Sequence, residues 1–391
     1  MRPFLYFSLV STLALSGCGA VITNFATDSQ SSQSKQPSWI QCTSNSTAGS
    51  VGINVNNLSF QALESPNLID ALQQSGAGWV RINLYWAWRE TSENQFDWSG
   101  IDDAISNLQA AHLNLIVTLD GPVPCWALAN QSVSVCTQPQ WTIPPTDLWL
   151  QFVNAAVSRY KDRIHYWEIW NEPDLPQSID IVDPIQRLTS YRDSILTPTS
   201  EAIHDLDSSA TVLGPTFAAI PEGNTAPGIE LQSALALVLG GPTPPSVDII
   251  TLHSYFPYRA YAKSESAHIG LASAGIADRP VWITEEGANL EDLPSSIDPE
   301  QERASFLTQE MSQPQDGVAP QKIIWFAATD SQNGSGVHTN DYGLINNIDY
   351  VNYVWTPRAT FTALQNLIGN ACGVMTGNQF STGGGERKRL P

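Results

Sequence analysis

Two stretches of the chain place acidic side chains where they could exchange protons or attack an electrophile. The first is Tyr166-Trp-Glu-Ile-Trp-Asn-Glu-Pro-Asp174. Tyr166 to Trp170 is too apolar for a surface loop and too short for a helix, so it reads as a buried strand. Pro173 stops that strand because it has no N–H to donate to a ladder. Asn171 and Glu172 are therefore delivered to the end of an apolar element, where partial desolvation raises a carboxyl pKa and suits it to proton donation. The competing reading is a strand-end turn with no chemistry. The second stretch, Pro280-Val-Trp-Ile-Thr-Glu-Glu-Gly287, again ends an apolar strand in acids. Glu285 is the candidate there and Glu286 its rival, which strand alternation is expected to point elsewhere.

The elements that must carry these groups alternate along the chain. Strands are expected over Gly52–Val55, Trp79–Leu84, Leu113–Leu119, Tyr166–Trp170, Thr211–Thr216, Val247–Leu252, Pro280–Thr284 and Lys322–Phe326. Amphipathic helices are expected over Asn67–Gln74, from the N-cap candidates Asp97 to Ser99 onward, and over Thr146–Lys161, Ile185–Leu206, Ile229–Leu239, Ala262–Ala274, Pro299–Gln309 and Pro357–Leu367. Eight strands alternating with eight helices predict a single (β/α)₈ barrel, with chemistry at the C-terminal strand ends. A doubly wound open sheet is the alternative, but no glycine-rich phosphate loop follows the first strand. In a closed barrel the ends of strands four and seven face each other. Two carboxyl groups set across a sugar-sized gap are what glycosidic bond cleavage requires.

Composition narrows the partners. The chain has 391 residues, 13 Trp and a formal net charge of −20, so phosphate backbones and anionic membrane surfaces should repel it. Abundant indole rings suit neutral ligands with flat apolar faces, such as sugars. Trp86, Trp88, Trp126, Trp141, Trp170 and Trp325 all fall on or near strand ends, where they could stack on pyranose rings or simply fill the core. No cofactor or metal is called for, a monomer is expected, and no separate carbohydrate-binding module is left over.

The ends carry addressing rather than fold. Residues 1–18 have a positive Arg2, an apolar run too short to span a bilayer comfortably, and the terminus Leu15-Ser-Gly-Cys18. This resembles a bacterial lipoprotein signal peptide, which implies lipidation of Cys18 and an exported, cell-envelope location with membrane contact through that anchor alone. Residues 19–38 are a Ser/Gln-rich tether, 39–376 the catalytic domain, and 377–391 a tail without periodicity. Cys125 and Cys136 enclose a short loop that a disulfide could staple, leaving Cys42 for Cys372, although four cysteines allow two other pairings.

The string Trp167-Glu-Ile-Trp-Asn-Glu-Pro173 is similar to the Asn-Glu-Pro signature of clan A retaining glycoside hydrolases, and Ile283-Thr-Glu-Glu-Gly287 resembles their strand-seven motif. Families 39 and 5 look nearest, and the resemblance runs over nearly the whole domain. It implies that Glu172 is the acid/base, Glu285 the nucleophile, Arg81 the cation that keeps Glu285 ionised, and Asn171 a contact to the sugar 2-hydroxyl. It further implies that His253 and Tyr255 bond the nucleophile and the sugar and that Trp325 is a stacking platform; Trp126, from its place beside the Cys125–Cys136 loop that would wall the cleft, is a further substrate-binding candidate. Glu168, within the strand, is expected to be structural. A catalytically inactive glycan-binding lipoprotein and a transglycosylase using the same residues are the alternatives.

Overall fold

The structure is a computed structural model that describes residues 47–372 except 57, 61, 129–135, 219–228, 295–297, 313–315, 333–337 and 350–353. Cys18, Cys42, the signal segment, the tether and the tail lie outside the described residues, and so does any pairing of Cys42 with Cys372. Eight parallel strands close in chain order: β1 (Val51–Asn54), β2 (Trp79–Tyr85), β3 (Asn114–Asp120), β4 (Tyr166–Ile169), β5 (Thr211–Phe217), β6 (Ile249–Tyr255), β7 (Val281–Gly287) and β8 (Lys322–Phe326), with β8 pairing β1. A helix or helical run follows each strand: α1 (Pro66–Ser75), α2 (Ile101–Ala110), α3 (Thr146–Tyr160), α4 (Pro184–Leu206, with a π-helical segment at Arg192–Leu196), α5 (Leu231–Leu239), α6 (Ala260–Ser273), α7 (Pro299–Met311) and α8 (Ala359–Cys372). The protein is thus a (β/α)₈ barrel, as the alternation predicts.

The strands are apolar along their length because each is buried on both faces. Their outward side chains, such as Val80, Ile82 and Leu84, join the helices in one continuous core. Their inward side chains change character along the axis. At the N-terminal end Trp79, Ile116, Leu213, Ile249, Trp282 and Ile324 pack as a separate cluster with Tyr166 against it. Trp79 meets Tyr166 at 4.8 Å and Trp282 at 5.4 Å between ring centroids, and the Lys322 ammonium lies 4.2 Å from the centroid of Trp79. Gly52 makes the plug possible, since a Cβ there would stand 2.4 Å from Ile324 Cδ1 and 2.8 Å from Trp79 Cβ.

Toward the C-terminal end the inward side chains turn polar. This is why β6 and β7 run further than their apolar pattern suggests: the ladder continues through His253–Tyr255 and Glu285–Gly287. One expected cap is absent. Gly100, not Asp97 or Ser99, precedes α2, and the Asp97 carboxylate instead accepts from the Ser99 N–H. Two caps pass unremarked in the pattern but fit elementary rules: Asp183 and Asp298 each accept from the first turn of a helix that opens with proline. Cys125 and Cys136 are bonded, with Cα atoms 5.4 Å apart.

Truncating Trp79 to Ala removes one of the two inward indoles of the plug and should cost about 3–5 kcal/mol. A fall of the urea midpoint measures it; an unchanged midpoint would mean the plug does not hold the barrel together.

Candidate active site

At the mouth of the barrel the chain of β4 makes two unusual turns. Trp170 (φ 65°) and Glu172 (φ 49°) both adopt the left-handed conformation, which is costly for residues with side chains and is tolerated where neighbours enforce it. Here they do: Trp170 N–H bonds the Leu119 carbonyl (2.8 Å) and Glu172 N–H the Thr216 carbonyl (3.0 Å). The turns send the Trp170 ring into the core, where it is fully buried, and carry Asn171 and Glu172 over the mouth.

Strand β7 presents its acid by a different device. Trp282 packs in the inward cluster, and Thr284 faces Glu168 inside the barrel. Strict alternation from these two would point Glu286 inward. Instead one extra residue bulges β7 against both neighbours: Leu252 and His253 pair with Ile283 and Glu285, while Ile323 and Trp325 pair with Ile283 and Glu286. Bulges commonly re-aim side chains beside active sites. Glu285 is thereby brought to the mouth and Glu286 is turned outward, enclosed against Ser254, Lys263 and Glu310. Alternation alone gives the wrong reason for preferring Glu285. Gly287 completes the motif, because a Cβ would crowd Tyr342 and Tyr255 at 3.2 and 3.3 Å and the Phe326 carbonyl at 2.6 Å.

Arg81 joins the two acid-bearing strands. Its guanidinium is wholly buried and donates to Glu168 (2.6 Å), Glu285 Oε1 (2.6 Å) and Asn171 Oδ1 (3.0 Å). Burial works against its charge, but the Glu168 and Glu285 carboxylates outweigh burial and raise its pKa. Glu285 also accepts from Asn54 Nδ2 (3.3 Å) and, on Oε2, from the Tyr255 hydroxyl. Burial and then the Glu285 charge push the Tyr255 hydroxyl well above its usual range, so it remains a donor. Glu168 accepts from Thr118 as well (2.7 Å). Burial pushes the Glu168 carboxyl up, yet Arg81 and its other partners hold it below the usual value.

Glu172 lies opposite. One of its oxygens, one of Glu285 and a ring nitrogen of His253 all fall within 4.8 Å of one another. His253 Nδ1 is 2.8 Å from Glu172 Oε1 and 3.4 Å from Glu285 Oε2, and burial lowers its pKa to about 4, so the ring is neutral near pH 7. Burial also dominates Glu172, whose carboxyl is pushed up to about 7 against the opposing charges of Arg81 and Lys263. Lys263 of α6 is itself enclosed, donating to the carbonyls of His253 (2.7 Å) and Ala218 (2.9 Å), with burial lowering it to about 8. Three such donors resemble a cation site, but Arg81 already neutralises Glu285, and a metal ion would be set against that guanidinium.

The structure therefore brings together Glu172, Glu285, Arg81, Asn171, His253 and Tyr255, and separates the tryptophans. Trp325 is a correction: it is fully buried, faces the helices, packs on Phe306 and donates its indole N–H to the Tyr342 carbonyl (3.3 Å). Its neighbour Phe326 takes the mouth position, in ring contact with Tyr255 and Tyr342. Trp86 and Trp170 are core residues too. Trp126 belongs with the connection after β2: its N–H bonds the Glu90 carbonyl (2.8 Å) and its ring meets Trp86, with no contact to the acid pair among the described residues. Asn54, Lys263 and Phe326 are mouth residues that the sequence reading passes over. For Asn54 the signal is a polar side chain closing an apolar strand; for Lys263 and Phe326 there is none without the fold.

No protein-family model matches the chain, and no curated protein matches it in sequence. Solved structures match its fold. A family 39 glycoside hydrolase from Bacteroides cellulosilyticus superposes with a TM-score of 0.57 at 14% identity, covering 84% of this chain and 65% of that one. A β-glucosidase from Thermotoga maritima gives 0.57 at 14% identity (78% of this chain, 85% of that), and one from Exiguobacterium marinum gives 0.56 at 13% (77% and 85%). The chain thus has the barrel fold found in glycoside hydrolases.

Infrared difference titration of the protein against Glu172→Gln should show a carboxyl protonating with a midpoint near 7. Lys263→Met, by removing a nearby positive charge, should move that midpoint higher. A midpoint near the ordinary glutamate value would mean that the carboxyl is open to water.

Proposed function

We propose that the protein is a retaining β-glycoside hydrolase. The observation that carries this reading is the pairing of two unlike carboxyl groups at the mouth, with oxygens within 4.8 Å of each other: one is tied to Arg81, Asn54 and Tyr255, the other has its pKa raised to about 7 by burial. Adjacent carboxyls suit a nucleophile and an acid/base, whereas inversion needs room for a water, with roughly 6.5–9.5 Å between the groups. Glu285 attacks the anomeric carbon as Glu172 gives its proton to the departing oxygen, which breaks the glycosidic bond and leaves a glycosyl ester on Glu285. Glu172, now a carboxylate, takes a proton from a water that attacks the same carbon, which breaks the ester bond and releases Glu285 as a carboxylate. The sugar leaves with its configuration retained and Glu172 is protonated again. Arg81 offsets the charge of Glu285 as it attacks and again as it is released from the ester, and Asn171, whose oxygen is occupied by Arg81, has its amide N–H groups for a sugar hydroxyl.

The substrate is a carbohydrate, and the enzyme works as a monomer at the cell envelope, tethered by a lipid on Cys18. The lipoprotein-like N-terminus supports that placement. In a bacterial host, Cys18→Ser should shift the protein from the membrane fraction to the soluble one; equal membrane recovery for both forms would refute the anchor.

Hydrolysis of a panel of aryl β-glycosides tests the chemistry. Glu172→Gln should lower kcat/KM by about 10²–10⁴-fold, and Glu285→Ala should show no turnover by double displacement. Activity needs protonated Glu172, so kcat/KM should fall as the pH rises through about 7. NMR of the first-formed product should show the β-anomer. An α-anomer would overturn retention; glycan binding without turnover would leave an inactive binding protein, and transfer to a sugar acceptor a transglycosylase.

A further inference from the structure

Beside the acid pair lies a second polar group that the proposed mechanism does not use. Asn83 and Tyr85 follow Arg81 at alternate, inward positions of β2, and Asp120 ends β3 opposite Tyr85. Asn83 Nδ2 donates to Asp120 Oδ2 (3.1 Å) and to the Tyr85 hydroxyl (3.2 Å), which occupies both of its N–H groups. Asp120 Oδ1 accepts from the Gly121 N–H (2.9 Å). Asn83 Oδ1 has no donor, although the residue is only 5% exposed. A buried acceptor left in this state costs free energy until an O–H or N–H reaches it.

Aromatic rings flank this group. Tyr85 meets Trp88 at 4.3 Å and Trp141 at 6.5 Å between centroids, both edge-on, and Trp88 is 48% exposed. Of the six tryptophans near strand ends, these two keep a partly open face beside inward polar groups. The charges around Asp120 are Arg81, Glu168 and Glu285. Arg81 is engaged by Glu168, Glu285 and Asn171, so an anionic ligand would find carboxyl groups and no available cation among them.

We propose that Asn83, Tyr85 and Asp120, walled by Trp88 and Trp141, form a subsite for a second, uncharged pyranose unit adjoining the one that reacts. A hydroxyl of that unit donates to Asn83 Oδ1 and its apolar face lies on the exposed indole. This deepens the hydrolase reading and rests on it: the substrate is then a neutral oligosaccharide rather than a simple glycoside or a uronic-acid polymer. Burial pushes the Asp120 carboxyl well above its usual range, which fits a group that shares hydrogen bonds with hydroxyls rather than one that pairs with a cation.

The test compares neutral β-linked tetrasaccharides (cello-, xylo- and manno-) with the matching aryl monosaccharide glycosides, and includes a uronic-acid tetrasaccharide. The wild type should prefer a neutral tetrasaccharide, and Trp88→Ala and Asn83→Ala should each lower the ratio of the two kcat/KM values by about tenfold. An equal loss on both substrates, no loss, or a preference for the uronic acid would overturn the subsite. If the wild type hydrolyses nothing on the panel, the hydrolase reading fails by itself. Calorimetric binding of the same tetrasaccharides then decides the subsite: about tenfold weaker binding in both variants supports it, and unchanged or undetectable binding overturns it.

Discussion

The mouth of this barrel is organised by one buried cation. Each of the three Arg81 nitrogens donates to a group from another strand: Glu168 and Asn171 at β4 and Glu285 on β7. A guanidinium without solvent is tolerable only while its partners are in place, and two carboxylates in the same enclosure are tolerable only while it stands between them. Each side therefore fixes the other. The planar fork of Arg matches this task in a way that a lysine ammonium would not, and its consequence is geometric: the acid on β7 and the amide on β4 are referenced to a single rigid group.

Around that cation the barrel gives four glutamates four environments. Glu168, bonded to Arg81 and Thr118, is held ionised and does no more than support. Glu285 meets Arg81, Asn54 and Tyr255 on its two oxygens. Glu172, raised to about 7, keeps a transferable proton against a neutral His253. Glu286, one residue from Glu285, has its carboxyl pushed well above the usual range by burial and by Glu310 behind the strand. Identical side chains differ here only in which face of a strand they occupy and what lies across from them. That separation of proton affinities is what assigns acid and base work in such sites.

Much of this was legible in the chain and some of it was not. Alternating apolar strands and amphipathic helices are a strong, redundant signal, so the barrel and the strand-end location of Glu172 and Glu285 followed directly. Where a residue's direction depends on local register, hydrophobic periodicity does not carry it. The resemblance places Trp325 at the mouth, while the actual register gives that place to Phe326. Glu285 and not Glu286 faces the mouth, and a bulge, which leaves no mark in hydrophobic periodicity, is what turns it there. Lys263 sits in a helix of weak amphipathicity, and nothing in its neighbours announces that its ammonium reaches the carbonyl of His253.

The plug of Trp79, Tyr166 and Trp282 at the other end of the axis bears on traffic through the molecule. Among the described residues, a cylinder stoppered by three rings under a lysine ammonium is open only at its C-terminal end. Whatever enters between Glu172 and Glu285 must leave on the side it came from, and water must arrive by the same route. The barrel axis is thus a closed end and not a passage, and the acid pair is approached from the C-terminal face of the strands.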